Sequence, residues 1–478
     1  MAVDYDLVIV GGSRVGIYAA QKAALLQARV ALVTQLKLLP DRTVIGKAIA
    51  EIGQWNYSLN SYAPTTSTEI VSLAAAQKRA IKIEQAVKTS NSLANLAALG
   101  VDVIVDRGEF CRLPHLAFQT AKRKLRSRKF LVATGASFVP DFMSQSDSKN
   151  YLTLDKLWQS DLAALGQKIV VVGGNPAALE LAQTLVRFQK DVTLVTPQQR
   201  ILPDEDSEVV LLLQAQLESE GIKIYTNAPV SQIKTIDGQK WLQAGNRALT
   251  CSEIIFADRR QPNISGLNLK GVDVKCDRVK IYVNRQLKTS NPDIYACGDV
   301  IGGYSLPSIA RHEVDIILKN TLFLPFYRAN YNFVPWTIST QPNFARVGLT
   351  TKQAQAQYED LYLIKEYIPD LDRAQIANCT TGMCKLLVRK NGEIVGCSLI
   401  SDRAEELIVT ISLMMQHKIK LDSNPMQGLS SGLAAVYPSM SEIWQRASDN
   451  FYRQKLQQNP ALLIRLRSWH SWRKQWHK

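Results

Sequence analysis

The chain has 478 residues, a length that predicts about three domains and rules out one small module. Its 46% hydrophobic and 21% charged residues are ordinary globular composition, which excludes wholesale disorder. A formal charge of +15 favours anionic partners, such as phosphorylated cofactors, acidic lipid or nucleic acid, without choosing among them.

The chain opens Asp6-Leu-Val-Ile-Val10, Gly11-Gly12-Ser13-Arg14-Val15-Gly16, an Ala-rich stretch, then Ala28-Arg-Val-Ala-Leu-Val33. That order reads as strand, tight turn, helix, strand. Asp4 and Asp6 ahead of the apolar run argue against a secretory signal. Ile70 to Leu99 reads as one long helix, and the basic run Lys122 to Lys129 separates two apolar stretches as a hairpin would. A second strand-turn-helix-strand unit follows about 160 residues after the first, at Lys168 to Val172, Gly173-Gly174-Asn175-Pro176-Ala177-Ala178, Leu179 to Gln189 and Val192 to Val195. Two such units predict an α/β chain with two doubly wound, Rossmann-like nucleotide-binding domains. From about Asn332 the character changes to mixed strands and helices, with a hairpin expected at Lys385 to Val388, Asn391-Gly392 and Ile394 to Ile400. This is a third, α+β domain.

A dinucleotide pyrophosphate needs a turn whose backbone amides approach it at a helix N-terminus, hence glycine at three positions of G-x-G-x-x-G. The first copy here is Gly11, Ser13, Gly16 and the second Gly173, Asn175, Ala178. Ser13 keeps a small side chain that can donate a hydrogen bond, and Asn175 departs further. The acid that holds a ribose hydroxyl after the second strand is absent from both units, where Thr34 and Thr196 stand. With Arg200 nearby, the second unit favours a 2′-phosphate and hence NADPH over NADH.

These residues resemble the flavoprotein pyridine nucleotide-disulfide oxidoreductases, the family of dihydrolipoamide dehydrogenase, glutathione reductase and mercuric reductase, over about residues 4 to 450. The resemblance rests on Ala133-Thr134-Gly135-Ala136, on Arg259-Arg260-Gln261-Pro262-Asn263, on Ala178-Leu179-Glu180-Leu181-Ala182, and most specifically on Thr289 through Tyr295-Ala296-Cys297-Gly298-Asp299-Val300. Pro335-Trp336 through Pro342 to Thr350 resembles the start of the family's dimerisation domain. The resemblance implies an FAD domain at 1–150 and 273–328, an NAD(P) domain at 151–272, a dimerisation domain at 329–450 and a homodimer, and leaves a tail at 451–478 outside it. It implies that Asp299 holds the flavin ribityl chain. Gly11, Gly12, Ser13, Gly16, Thr34, Thr134, Gly135, Gly298 and Arg260 then belong to the FAD side, and Gly173, Asn175, Ala178 and Arg200 to the NAD(P)H side. Lys47 and Glu180 match the family's ion pair beside the reactive edge of the flavin.

The family passes hydride from NAD(P)H to flavin and electrons on to a C-x4-C disulfide that ends in a sequence like S-K-A. Gly46-Lys47-Ala48 resembles that ending, and counting back from Lys47 puts Leu38 and Thr43 at the two cysteine positions. Neither can form a thiolate, so the usual route to lipoamide, glutathione or mercuric ion is closed. Cys379-Thr-Thr-Gly-Met-Cys384 has the same spacing but lies in the third domain at the entry to a strand. Structural thiols and a displaced redox pair are both open readings there. All seven cysteines lack a dense framework, which fits a reducing compartment.

Tyr437-Pro438-Ser439-Met440-Ser441-Glu442 resembles the family's H-P-T-x-x-E motif, with Tyr437 in place of the base. With an ordinary pKa near 10, tyrosine is a poor base at neutral pH and a competent hydrogen-bond donor. The five histidines show no metal-ligand spacing, and no metal site is expected.

No acid follows Asp449, and the last 18 residues carry five Lys or Arg and three Trp. Leu462, Leu466, Trp469 and Trp476 share a helical face, so 461–478 suits an anionic membrane surface, a partner, or a disordered tail. No stretch has the roughly 18 to 20 apolar residues that cross a bilayer. Sequence-specific nucleic-acid binding is not expected.

The reading is a cytoplasmic, homodimeric NAD(P)H-dependent FAD oxidoreductase, with a peripheral membrane contact open through the tail. Its electrons pass directly from flavin to a small-molecule acceptor, a quinone, a metal or a dye-like molecule. A non-catalytic or regulatory homologue is the alternative, and a thiol reductase using Cys379 and Cys384 is a third.

Overall fold

The computed structural model describes residues 3–35, 42–62, 70–90, 92–112, 115–140, 150–303, 305–379, 381–421 and 436–474. It forms two compact units, residues 1–202 with 217–330, and residues 203–216 with 331–478.

The first unit opens with β1 (Tyr5–Val10), α1 (Arg14–Leu25), β2 (Val30–Thr34), α2 (Arg42–Tyr62), α3 (Leu73–Ser90), α4 (Leu93–Ala98) and β3 (Asp102–Val105). The long helix expected over Ile70 to Leu99 is therefore two. Ser92 ends the run because its side chain accepts from Asn95 N and starts α4 as an N-cap. An antiparallel trio follows, β4 (Gly108–Cys111), β5 (Ala117–Thr120) and β6 (Lys124–Leu125), then β7 (Ser127–Val132) and β8 (Ala136–Phe138). The basic run thus supplies the β5–β6 turn and enters β7.

Next come β9 (Leu152–Thr153), α5 (Leu154–Leu157), β10 (Lys168–Val172), α6 (Pro176–Arg187), β11 (Asp191–Val195), α7 (Ser207–Ser219), whose residues 207–216 belong to the second unit, and β12 (Lys223–Tyr225). The meander β13 (Val230–Ile236), β14 (Gln239–Ala244) and β15 (Arg247–Cys251) precedes β16 (Glu253–Phe256), β17 (Arg260–Pro262) and β18 (Ile294–Ala296), and α8 (Pro307–Leu322) closes the unit.

Two five-stranded parallel sheets result, in the orders β18-β7-β1-β2-β3 and β12-β11-β10-β16-β9. Parallel strands covered on both faces must be apolar throughout, which is why β1 and β10 read as unbroken Val and Ile runs. Leu7, Val8, Ile9, Val170 and Val171 are all buried. Ala19, Ala20, Ala23 and Ala24 let α1 lie close against the first sheet core. In each sheet the strand that starts the unit is central, so its carboxyl end opens at the switch point where such folds take ligands.

The second unit holds the antiparallel sheet β19 (Trp336–Ile338), β20 (Asn343–Gly348), β23 (Ile394–Ser401), β22 (Met383–Arg389) and β21 (Leu361–Tyr367), with α9 (Thr351–Gln355) and α10 (Asp372–Ile376) between strands. The expected hairpin is β22–β23. α11 (Ala404–Gln416) and α12 (Glu442–Gln458) supply residues of this core, and α13 (Pro460–Lys474) ends the described chain. Segment 203–216 belongs to this unit: Asp206 accepts from Ser398 Oγ and Thr351 N at 3.0 Å each, and Glu205 pairs with Arg346 at 2.6 Å. Among the described residues no helix is long and apolar enough to cross a membrane.

Candidate functional site

The carboxyl ends of β1, β7 and β18 bring together three loops far apart in sequence: Gly11 to Gly16, Ala133 to Gly135, and Gly298 to Asp299. Gly11 takes φ +124°, and a Cβ there would lie 2.4 Å from Ala133 O. A Cβ on Gly16 would lie 1.9 Å from Gly11 O, so both glycines are required by close approach. Ser13 does not point its hydroxyl outward. It donates to Ala133 O at 2.8 Å and accepts from Gly16 N at 3.2 Å, capping α1 and pinning the turn to β7.

Thr34 is buried, and its Oγ1 would be 2.3 Å from a Cβ on Gly12. Thr134 Oγ1 is buried without a hydrogen-bond partner, and Gly135 and Gly298 take left-handed φ of +70° and +71°. A tight glycine turn at a helix N-terminus with an orphaned hydroxyl beside it fits a dinucleotide pyrophosphate. The residues present therefore fit FAD.

The second glycine turn, at the carboxyl end of β10 in the same unit, repeats this construction. Gly173 takes φ +142°, and Asn175 Nδ2 donates to Ala257 O at 2.7 Å and Asp258 O at 2.8 Å while Oδ1 accepts from Ala178 N at 3.0 Å. Asn175 is thus the counterpart of Ser13, an N-cap that ties the turn to the neighbouring strand. Thr196 is the counterpart of Thr34: it is buried, with Oγ1 2.7 Å from a Cβ on Gly174. Arg200 is half-buried four residues beyond Thr196. The cap signal, Ser or Asn directly before an apolar-periodic run, was available in the sequence for both positions.

Lys47 on α2 and Glu180 on α6 meet at 2.8 Å, although 133 residues separate them. On the same helix, Thr43, Lys47 and Trp55 line a cleft of about 500 Å³ with Arg14, Arg79 and Pro307. The Arg79 guanidinium stands 5.7 Å from the Trp55 ring centroid. The sequence reading missed this cleft because α3 has no motif. Of the two positions that correspond to the redox cysteines, Thr43 is the second residue of α2 and Leu38 lies outside the described residues.

Asp299 does not stand alone. Arg260 Nη1 lies 2.5 Å from its Oδ2, Ser305 Oγ donates to its Oδ1, and the Arg260 guanidinium covers the Phe138 ring at 4.3 Å. The β8–β17 pairing sets Arg260 opposite Phe138 and aims the guanidinium.

In the second unit Tyr437 is 70% exposed and donates to Asp372 Oδ2 at 2.7 Å, which raises its pKa above the ordinary value and keeps the phenol a donor. Glu442, the first residue of α12, accepts from Ser439 N at 2.9 Å. All seven cysteines are free. Burial, with the neighbouring Asp402 carboxylate, pushes the Cys379 thiol up to about 12. Cys384 is buried in the sheet core, where burial and the adjacent Cys397 also push it up. Among the described residues no cluster of His, Cys, Asp and Glu could hold a metal.

Two family models cover the chain: the pyridine nucleotide-disulphide oxidoreductase model over residues 5–313, and that family's dimerisation domain over residues 334–448. The mercuric reductase of Staphylococcus aureus is 28% identical over 442 residues, covering 88% of this chain and 78% of that protein. An NAD(P)H dehydrogenase (quinone) of Mycobacterium tuberculosis is 28% identical over 375 residues, 76% of this chain and 74% of that protein. The crystal structure of LpdA from Mycobacterium tuberculosis superposes with a TM-score of 0.82 at 25% identity, covering 93% of this chain and 98% of that one. The chain belongs to the pyridine nucleotide-disulphide oxidoreductases, a family of flavoproteins dependent on FAD and NAD(P).

Proposed function

We propose that this protein is a homodimeric, NAD(P)H-dependent FAD oxidoreductase that delivers electrons to a small-molecule acceptor without a redox disulfide. The observation that carries the reading is the Lys47–Glu180 pair, kept at 2.8 Å on a helix whose upstream sequence contains no cysteine before Cys111. FAD, when bound, supplies the acceptance of hydride from reduced pyridine nucleotide and the release of electrons onward. The Gly11–Gly16 turn and the α1 N-terminus hold its pyrophosphate, Thr134 and Gly135 its middle, and Asp299, set by Arg260, its ribityl chain. Gly173, Asn175 and Ala178 receive the nicotinamide dinucleotide, with Glu180 beside Lys47 and Arg200 near the adenosine ribose, which favours NADPH.

Glu180 fixes the position of the Lys47 ammonium, which lines the cleft. The cleft is lined by Val44, Ile52, Trp55 and Ile83, with Arg14, Arg79 and Glu51 as further charged groups, a lining suited to a flat, apolar acceptor. The name of the mycobacterial relative supports a quinone as that acceptor. Tyr437 and Glu442 lie in the dimerisation domain, and their role is exercised through the homodimer. The domain ranges of the proposal are those read from the sequence, 1–150 with 273–328 for FAD, 151–272 for NAD(P), 329–450 for dimerisation and 451–478 for the tail.

A regulatory reading is favoured by one observation, the closure of Asp299 by Arg260 and Ser305. The visible spectrum of the purified protein, followed by anaerobic titration with NADPH and NADH, tests both. A flavin spectrum that bleaches without a long-wavelength thiolate charge-transfer band supports the oxidoreductase. A colourless protein that cannot be reconstituted with FAD overturns it in favour of the regulatory homologue.

The tail keeps a docking role in this proposal. Its described part, α13, is exposed along most of its length, and the Trp469 and Trp472 rings meet at a tilt of 40° with centroids 5.1 Å apart. Arg473 lies between Leu466 and Trp469 around the helix, so the apolar face is interrupted by a cation that must snorkel. Trp476 lies outside the described residues. Unchanged binding to anionic vesicles after deletion of 461–478 would remove the tail from the proposal.

A further inference from the structure

After α8 the chain turns through Phe323, Leu324, Pro325, Phe326 and Tyr327. Phe323, Leu324 and Phe326 are 61%, 60% and 72% exposed, and Tyr327 is also exposed. Four adjacent large apolar side chains in water are unusual for a surface loop and mark an interaction site.

This loop is built, not frayed. Asn320, 4% exposed, donates through Nδ2 to Tyr327 O at 2.8 Å and accepts from Tyr327 N at 2.9 Å, fixing the far end of the turn to α8, while Phe323 N donates to Lys319 O at 3.2 Å at the near end. Gln286 Nε2 donates to Pro325 O at 2.5 Å, and Ala329 N donates to Arg285 O at 2.7 Å. With the backbone fixed on both sides, the side chains of Phe323, Leu324 and Phe326 are held out.

The surroundings are cationic. Lys319 Nζ lies 5.1 Å from the Tyr327 ring centroid, and Arg328 follows the turn. From residue 316 to residue 358 there is no acid, and Arg285, whose carbonyl accepts from Ala329 N, adds a further cation beside the turn. Apolar and aromatic tips rimmed by Lys and Arg match the interfacial layer of a bilayer with anionic headgroups: the rings enter the acyl boundary and the cations meet the phosphates. A purely polar anionic partner would satisfy the cations and leave Phe323 and Phe326 in water.

We propose that the 323–327 loop is a membrane wedge that docks this protein on anionic lipid, with Lys319, Arg285 and Arg328 on lipid phosphates. The proposal goes beyond the electron-transfer reading and does not depend on it. It concerns the first unit, whereas the tail is part of the second.

The test is co-sedimentation of the full-length protein with vesicles of phosphatidylglycerol and phosphatidylcholine, and with phosphatidylcholine alone. The wild type should bind the anionic vesicles and release with salt. Phe323→Ser with Phe326→Ser, and separately Lys319→Glu with Arg328→Glu, should each weaken binding about tenfold or more. Far-UV circular dichroism and size-exclusion elution should not change. Wild-type protein that ignores anionic vesicles, or double variants that bind them as well as wild type, overturns the proposal. So does a Phe323→Ser, Phe326→Ser protein that elutes as a smaller oligomer without lipid, since the loop would then serve self-association.

Discussion

Lys47 Nζ and Glu180 Oε1 lie 2.8 Å apart and join α2, which follows the first nucleotide turn, to α6, which the second turn opens. The side chains are 43% and 24% exposed, so the pair contributes little to stability, about 0–1 kcal/mol. Its value is positional. Lys47→Met or Glu180→Gln should leave thermal unfolding nearly unchanged and slow anaerobic reduction of the bound flavin by NADPH about 100-fold, by misplacing the reacting groups. Stopped-flow absorbance reads the rate; an unaltered rate in both variants removes the pair from the site.

Ser13 and Asn175 stand at the middle position of the two glycine turns and cap α1 and α6. Ser13→Ala loses one cap and one bond to Ala133 O, which predicts a loss of about 1–2 kcal/mol. Asn175→Ala loses a cap and two bonds, to Ala257 O and Asp258 O, and should cost about 2–3 kcal/mol. Urea titration measures both. If Asn175→Ala costs no more than Ser13→Ala, the two clamps to the strand end carry no weight.

Local signals made the two turns legible in the sequence, because strand, glycine turn and helix are consecutive and each obeys its own periodicity. Lys47 and Glu180 were legible through resemblance alone, since nothing local links residues 133 apart. The sequence reading treated Ser13 and Asn175 as weakened glycines, although each also fits the helix-cap rule. Thr34 and Thr196 registered only as missing acids; in three dimensions they pack over Gly12 and Gly174. The Arg260–Asp299 pairing was hidden because it depends on β17 pairing with β8, a register that neither short strand encodes alone. The break at Ser92 was lost in an otherwise helix-favouring stretch.

Cys379 and Cys384 imitate the spacing of a redox pair, and their environments hold both thiols protonated. A thiol raised from 9.0 to about 12 is almost wholly un-ionised at pH 8, so its alkylation should rise about tenfold per pH unit and level off only near 12. Iodoacetamide labelling of the native protein followed by mass spectrometry should show Cys379 slow at pH 8 and faster as pH rises. Cys379→Ser with Cys384→Ser should keep NAD(P)H oxidation intact; abolished turnover in a folded variant would restore the thiol-reductase reading.

Asp299 is the residue on which the two functional readings divide. Arg260 and Ser305 both bind its carboxylate, and such a clasp can either orient the carboxylate or occupy it. If it orients, Asp299→Ala should empty the protein of flavin while the fold survives, because the proposed ribityl anchor is gone. Arg260→Gln should then weaken FAD retention more modestly, about tenfold, since a neutral amide can still meet one carboxylate oxygen but loses the charge-assisted bond. If the clasp instead occupies the carboxylate, Arg260→Gln frees it and flavin binding tightens. Equilibrium dialysis of FAD against wild type and the two variants therefore gives opposite signs for Arg260→Gln, and a tighter variant would move the protein from the oxidoreductase reading to the regulatory one.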